Sequence, residues 1–288
     1  MSQKTIEFKK QRELGDIITD TFKFLRQNFK PLFKAIFKIT GPVFVILLFA
    51  IGYYSYLGMD ILQNPFFGDN EDIDVEMYFI ALFILFSSLL AFYVLLYGTV
   101  LNYIKSYIRN LGVVDNTEVF QGVKNDFGSM LAIMIVSGTI TIFGLLLCVL
   151  PGIYVWVPLS LAPAMLVFAR TSIADSISYA FSLIKDNWWS TFFTLFVLTL
   201  LVYLIGMIFQ FPMMIYMFIK AFIISQQGSA ANPAELIDWV YVFFNVISSL
   251  FQYLLSVILI VASAFIYHHL DEKKNATGSY ERISNLGS

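Results

Sequence analysis

The sequence predicts an all-α fold, a polytopic bundle of six transmembrane helices with three amphipathic interfacial helices on the cytoplasmic side, arranged as a threefold pseudo-repeat. Of the 288 residues, 58% are hydrophobic and only 13% are charged. This leaves too little polar surface to cover a water-soluble domain of that size. The charged residues also leave five uncharged intervals, each as long as the roughly 20 residues that cross a bilayer: 39–59, 77–104, 127–169, 187–219 and 239–270.

The third interval, 127–169, contains 43 residues and is long enough for two spans. Pro151 and Gly152 predict the hairpin turn that divides it, because Pro has no backbone N–H and Gly tolerates positive φ. We expect residues 1–270 to form a single membrane domain and residues 271–288 a polar cytoplasmic tail. The six predicted spans are 35–57, 77–106, 128–149, 152–169, 189–222 and 237–269.

The distribution of basic residues predicts the orientation of the chain. With a cytoplasmic N-terminus, 17 of the 18 Lys and Arg residues lie on the cytoplasmic side, as the positive-inside rule requires. Both termini are then cytoplasmic, and the residue usage is typical of a bacterial cytoplasmic membrane protein. Trp and Tyr prefer the headgroup level. They predict an outer belt that includes Tyr54, Tyr78, Tyr154 and Trp239, and an inner belt that includes Trp188.

Three segments that precede pairs of spans share one pattern, and they predict repeat units over about 12–110, 111–170 and 171–270. The pattern is Phe, two residues, an aliphatic residue, a base, two polar residues and an aromatic residue. A helical period of apolar residues within each segment predicts an amphipathic helix in the headgroup plane. Such helices either anchor the bundle or offer a surface that senses lipid or docks a partner. The matching positions are Phe22, Leu25, Arg26 and Phe29; Phe120, Val123, Lys124 and Phe127; and Phe181, Ile184, Lys185 and Trp188.

Prolines and polar residues inside the spans are further candidates for function. Pro158, Pro163 and Pro212 each remove a backbone hydrogen bond and predict kinks. The kinks are either purely structural or open a groove toward lipid. The polar residues either hold helices together or line a cavity for a neutral solute: Asn102, Gln210, Asn245 and Gln252.

Residues that could support catalysis are sparse. The chain has no His-Glu-x-x-His zinc motif, no Gly-x-Ser-x-Gly elbow and no phosphate-binding loop. His268, Asp271 and Glu272 are the only candidates, at the inner end of the last span. Because adjacent residues on a helix point about 100° apart, His268 and His269 favour a polar cap over a metal site. We therefore expect no catalytic residue, metal or cofactor.

Several stretches resemble a known family of bacterial and archaeal membrane proteins. They are residues 14–29, the Leu-Pro-Gly-Ile turn at 150–153 with the following residues to 164, and residues 174–189. Over residues 12–270 the chain resembles the family named for the membrane domain of glycerophosphoryl diester phosphodiesterase. Most members of that family stand alone without the catalytic domain, and the 18 residues after residue 270 are too few for one. The resemblance therefore implies a membrane domain without phosphodiesterase activity.

Three functional classes follow from these observations. The first is a non-catalytic protein of envelope or lipid homeostasis, which holds lipid in a groove or serves as a subunit of an inner-membrane assembly. The second is a permease for a neutral or amphiphilic solute, and the third is an intramembrane enzyme. We favour the first, with membrane lipids and other inner-membrane proteins as partners and no nucleic acid.

Overall fold

The computed structural model describes residues 5–63, 75–226 and 236–280, and these residues form helices and no strands. Seven α-helices follow one another along the described chain, and a 3₁₀ turn, Lys185–Asn187, joins the fifth to the sixth. The helices are α1 (Leu14–Gln63), α2 (Val75–Arg109), α3 (Asn116–Leu147), α4 (Val149–Ala169), α5 (Ile173–Ile184), α6 (Trp188–Gln226) and α7 (Trp239–Asn275).

The prediction of an all-helical fold with six apolar helices is confirmed. In the described residues, six helical stretches are long and apolar enough to cross a membrane, with α5, the 3₁₀ turn and α6 counted as one. These helices fit a multi-pass integral membrane protein. Helix α1, with 50 residues, is about 75 Å long, so it exceeds the roughly 30 Å of hydrocarbon in a bilayer.

The turn between the third and fourth spans lies three residues before its predicted position. Cys148 has extended backbone angles, φ −171° and ψ 147°, and separates α3 from α4. Pro151 and Gly152, predicted to form the turn, both lie inside α4. Pro151 falls in the first turn of α4. Backbone N–H groups in a first turn have no acceptor within the helix, so the missing N–H of proline costs no hydrogen bond there.

The close approach of α3 and α4 explains the glycine at position 152. A Cβ atom built on Gly152 would lie 2.5 Å from Leu145 Cδ2 and 2.7 Å from the Leu145 backbone nitrogen. A Cβ atom on Gly144 would lie 3.0 Å from Gly152 Cα. Glycine at both positions therefore lets the two backbones come together, as small residues do between membrane helices.

The chain divides into two compact units. Unit 1 contains residues 1–40, 93–200 and 257–288, and unit 2 contains residues 41–92 and 201–256. Helices α3, α4 and α5 belong wholly to unit 1, whereas α1, α2, α6 and α7 each contribute one segment to each unit. The single membrane domain of residues 1–270 stays a prediction.

The core of unit 1 includes an N-terminal segment, residues 5–12, that precedes α1. Phe8 is 2% exposed, stacks on Phe265 with a centroid distance of 4.2 Å, and contacts the edges of Phe24 and Tyr107. The Arg12 guanidinium bonds Asp20 at 2.9 Å and lies 4.8 Å from the centre of the Phe265 ring. Aromatic packing of this kind fixes the segment against α1, α2 and α7.

The described part of the predicted cytoplasmic tail, residues 271–280, is largely folded onto this core. Helix α7 continues to Asn275, and Asp271 and Glu272 are buried. Glu272 accepts hydrogen bonds from the backbone N–H groups of Gly278 and Ser279, at 2.6 and 3.0 Å. The last part of the predicted tail, residues 281–288, lies outside the described residues.

The three repeated segments differ in how they join their spans. The first and second are the beginnings of α1 and α3 and run into the spans without a break, whereas the third is a separate helix, α5. The bases Arg26, Lys124 and Lys185 are exposed in all three segments. Phe22, Phe29, Phe120 and Phe127 are also exposed, with Phe181 and Trp188 half-buried; Val123 and Ile184 are buried and Leu25 is half-buried. The pseudo-repeat and the surface position of these helices stay predictions.

Candidate functional site

Unit 2 contains a cavity of about 380 Å³ between segments of α1, α2 and α7. This volume lies at the lower end of the range for small-molecule sites. Its walls combine aliphatic side chains with hydroxyl and amide groups, and none of the lining residues that the structure describes is charged. The lining residues are Ile51, Tyr54, Ser55, Leu85, Leu89, Ile237, Tyr241, Asn245, Ser249 and Tyr253.

One wall of the cavity is a ladder of polar side chains on α7. Tyr241, Asn245, Ser249 and Tyr253 follow one another at intervals of four residues and therefore lie along one side of the helix. The ladder extends for about 18 Å along the helix axis. This face of α7 offers hydrogen-bonding groups at several levels of the cavity.

A second wall of the cavity, formed by α2, is apolar. Leu85 and Leu89 lie one helical turn apart on α2 and supply aliphatic surface. At the last step of the ladder, Tyr253 packs edge-on against Phe92 at 5.6 Å, and Phe92 stacks on Phe44 at 4.8 Å. The cavity is thus amphipathic, with polar groups on α7 and apolar groups on α2.

Several polar groups of the cavity have unused hydrogen-bonding capacity. Tyr54 shares a hydrogen bond of 2.6 Å with Tyr78. Within the described part of the chain, the side chains of Ser55, Tyr241, Asn245 and Ser249 make no hydrogen bond. Groups with free donors and acceptors in a cavity are suited to bind the polar part of a ligand.

An ion pair stands at the beginning of α7, beside the cavity residues Ile237 and Tyr241. Asp238 accepts hydrogen bonds from Lys220 Nζ at 2.6 Å, from the Tyr216 hydroxyl, and from the backbone N–H groups of Val240 and Tyr241. Desolvation favours the neutral acid, but these hydrogen bonds outweigh it and lower the pKa of Asp238 to about 2. The positive charge of Lys220 is therefore balanced by Asp238.

Of the four polar residues predicted to line a cavity, the structure places only Asn245 in this one. Asn102 belongs to unit 1, where it donates to Gly98 O at 3.0 Å and to Asp126 at 3.1 Å. Gln252 lies against Gly206, where a Cβ atom would be 2.3 Å from its Oε1. Gln210 is half-buried and does not line the cavity.

Five hydroxyl-bearing residues of the lining are not among the residues predicted to line a cavity: Tyr54, Ser55, Tyr241, Ser249 and Tyr253. For the three on α7, the signal in the sequence is the repeated spacing of four residues from 241 to 253. Asn102 and Asn245, predicted to line one cavity, belong to different units.

A second polar cluster holds unit 1 together near the charges that flank the α3–α4 hairpin. Asp126 pairs with Arg170 at 2.9 Å and receives the hydrogen bond from Asn102. Gly122 makes room for Asn102, since a Cβ atom there would lie 2.3 Å from its Oδ1. These groups satisfy one another, so the cluster is suited to helix packing more than to binding a ligand.

The three residues considered for catalysis have separate surroundings. Asp271 accepts hydrogen bonds from Tyr179, Asn275 and Thr277, at 2.7–3.0 Å, and Glu272 caps the final helical turn. His268 is buried among the rings of Phe8, Phe168 and Tyr267, and its Nε2 has no hydrogen-bond partner among the described residues. No group of three potential metal ligands occurs in the described residues.

The proline at position 158 has a specific partner. Pro158 cannot donate to the carbonyl of Tyr154 four residues earlier. Trp188 Nε1 donates to that oxygen at 3.1 Å, and its ring stacks on Tyr154 at 5.5 Å. The prediction that Tyr154 and Trp188 lie at opposite membrane interfaces is therefore wrong. Helices α4 and α6 continue through Pro158, Pro163 and Pro212.

Other aromatic residues predicted for one belt are found in contact with each other. Tyr54 contacts Tyr78, and Tyr56 stacks on Trp239 with a centroid distance of 5.0 Å. All four belong to unit 2. Their contacts agree with a common level for these residues.

Comparison of the chain with known protein families, curated proteins and solved structures finds no match.

Proposed function

We propose that the protein is a non-catalytic integral membrane protein of the bacterial cytoplasmic membrane that holds an amphiphilic lipid in the cavity of unit 2. The observation that supports this proposal is the cavity lining, which joins an apolar wall to polar side chains, of which Ser55, Tyr241, Asn245 and Ser249 make no hydrogen bond within the described residues. Such a lining matches a molecule with one polar and one apolar part. Its role would lie in envelope or lipid homeostasis, with both termini in the cytoplasm.

The resemblance to the membrane-domain family fits this proposal, because most members of that family stand alone without the catalytic domain. A role as subunit of an inner-membrane assembly is compatible with it. We base the proposal on the cavity, because its lining is the feature of the structure that suits a ligand.

Native mass spectrometry of gently extracted protein tests lipid binding in the cavity. In Leu89→Trp, the larger side chain fills space beside the ladder, and we expect bound lipid to fall at least about tenfold, a loss of about 1.4 kcal/mol. Leu204→Trp is the matched control, because Leu204 is 51% exposed on α6 and does not line the cavity. Equal lipid retention by both variants would exclude the cavity as the site.

The uncharged lining also suits a permease for a neutral or amphiphilic solute. A permease would transport a soluble molecule across reconstituted vesicles, and Leu89→Trp would block that transport. A lipid-holding protein would bind lipid in the same preparation without solute uptake.

A further inference from the structure

The chemistry of the ladder identifies the class of lipid. We infer that the cavity selects a lipid whose polar end is uncharged and carries hydroxyl and ester groups, as in a diacylglycerol, over the same lipid bearing a phosphate. This inference rests on the proposed function and names its ligand. Its basis is the lining that the structure describes, in which hydroxyl and amide groups supply the polarity and no side chain is charged.

A phosphate in this cavity would lack a counter-charge. Burying an anion without a cation is strongly unfavourable, because few donors replace its hydration. The cation next to the lining, Lys220, is bound to Asp238. To bind a phosphate, Lys220 would have to leave Asp238, whose carboxylate accepts hydrogen bonds from the backbone N–H groups of Val240 and Tyr241 at the start of α7.

Hydroxyl and ester groups match the available partners. Serine and tyrosine hydroxyls each donate and accept, and the Asn245 amide offers two donors and one acceptor. A glyceride hydroxyl needs a donor and an acceptor, and an ester carbonyl needs a donor only. Asn245 and Ser249 provide both kinds of group one helical turn apart.

The size and shape of the cavity agree with a polar end bound together with the first part of a chain. A volume of about 380 Å³ is small for an entire two-chain lipid. The hydrocarbon nearest the headgroup would lie against Leu85 and Leu89, opposite in character to the ladder. A free polyol would leave this apolar wall without a partner.

The test compares diacylglycerol with phosphatidic acid of the same acyl chains, because the two differ only by the phosphate. Binding to wild-type protein in detergent is measured by native mass spectrometry, with free glycerol as a third ligand. We expect diacylglycerol to bind at least about tenfold more tightly than phosphatidic acid. Ser249→Leu should weaken diacylglycerol binding about fivefold, the effect of one lost hydrogen bond, whereas the exposed Ser225→Leu should not.

A designed charge provides the reciprocal test. Asn245→Lys should reverse the preference by pairing with the phosphate, and its elution volume and thermal unfolding will show whether it folds. If Asn245→Lys does not fold, Ser249→Lys one turn away replaces it. Reversal by either variant supports the inference.

The remaining outcomes separate the two proposals. Phosphatidic acid binding to wild type as tightly as diacylglycerol would overturn the inference and leave lipid binding in place. If free glycerol binds as tightly as diacylglycerol, the ligand is a soluble polyol and not a lipid. If neither lipid binds wild type better than Leu89→Trp, the inference and the proposed function both fail.

Discussion

Two glycines of the α3–α4 hairpin should respond to alanine with opposite signs. At position 152 of α4, a methyl group would overlap Leu145, at 2.5 Å from Cδ2 and 2.7 Å from the backbone nitrogen. At position 138 of α3, no atom lies within 4 Å of the added carbon. Gly152→Ala and Gly138→Ala therefore form a matched pair within one hairpin.

The magnitudes follow from two opposing contributions. Replacing a helical glycine by alanine stabilises a helix by about 0.5–1 kcal/mol. At position 152 the overlap with Leu145 Cδ2 is relieved by a rotamer change, but the overlap with the backbone nitrogen requires the helices to separate. Overpacking of this kind costs about 1–3 kcal/mol. We expect a net loss of about 1–2 kcal/mol for Gly152→Ala and a gain of up to about 1 kcal/mol for Gly138→Ala.

The assay is reversible unfolding in detergent micelles, followed by helical circular dichroism, with both variants measured beside wild type. The difference in free energy of unfolding between the two variants should be about 1–3 kcal/mol. Equal stability of the two variants would refute the close approach of α3 and α4 at Gly152.

Two further predictions concern the N-terminal segment and Asp238. Phe8→Ala should release residues 5–12, because Phe8 is 2% exposed; we expect the free energy of unfolding to fall by about 3 kcal/mol and amide hydrogen exchange in this segment to become faster. The control Phe29→Ala, at a 56% exposed position, should leave this exchange unchanged. Equal effects of the two variants would contradict the packing of residues 5–12 on the core. Asp238 has a lowered pKa of about 2, so its contribution is complete above pH 4 and is lost as pH falls from about 4 to 2. Since its side chain is 35% exposed, we expect a loss of about 1 kcal/mol in thermal unfolding over that range, and no such loss in Asp238→Asn; identical acid profiles would count against the ion pair.

The number and character of the spans could be predicted because uncharged intervals record the constraint that a bilayer imposes. The position of the turn in the long interval 127–169 could also be predicted from the charged residues that flank it. Asp126 and Arg170 flank that interval at equal distances of 22 residues from Cys148, and they pair at 2.9 Å. Assigning the turn to Pro151 gave weight to residue type, although proline is equally suited to the first turn of a helix.

The continuity of α1 was harder to predict. The periodic segment around Phe22 and the span after Lys34 looked like separate helices because their amphipathic character differs. In the structure, α1 passes from one to the other through Pro31. Local pattern reports which face of a helix is apolar, but it does not report whether the axis turns between two segments.

The candidate site was predicted in part, through Asn245. The other ladder residues could also have been predicted, because their spacing places them on one face of α7. Which helices oppose that face is a tertiary property, and the apolar wall from α2 could not be deduced from spacing alone. The same limit explains Asn102, whose partner Asp126 lies 24 residues away on another helix.

The most direct test of the lipid-binding cavity is a cryo-EM structure of the protein in nanodiscs made from native membrane lipids. We expect non-protein density between α1, α2 and α7 of unit 2, with its polar end within hydrogen-bonding distance of Asn245 or Ser249 and no phosphate-sized feature there. A well-resolved cavity without lipid density, or one that holds a phosphate against Asn245, would contradict this expectation.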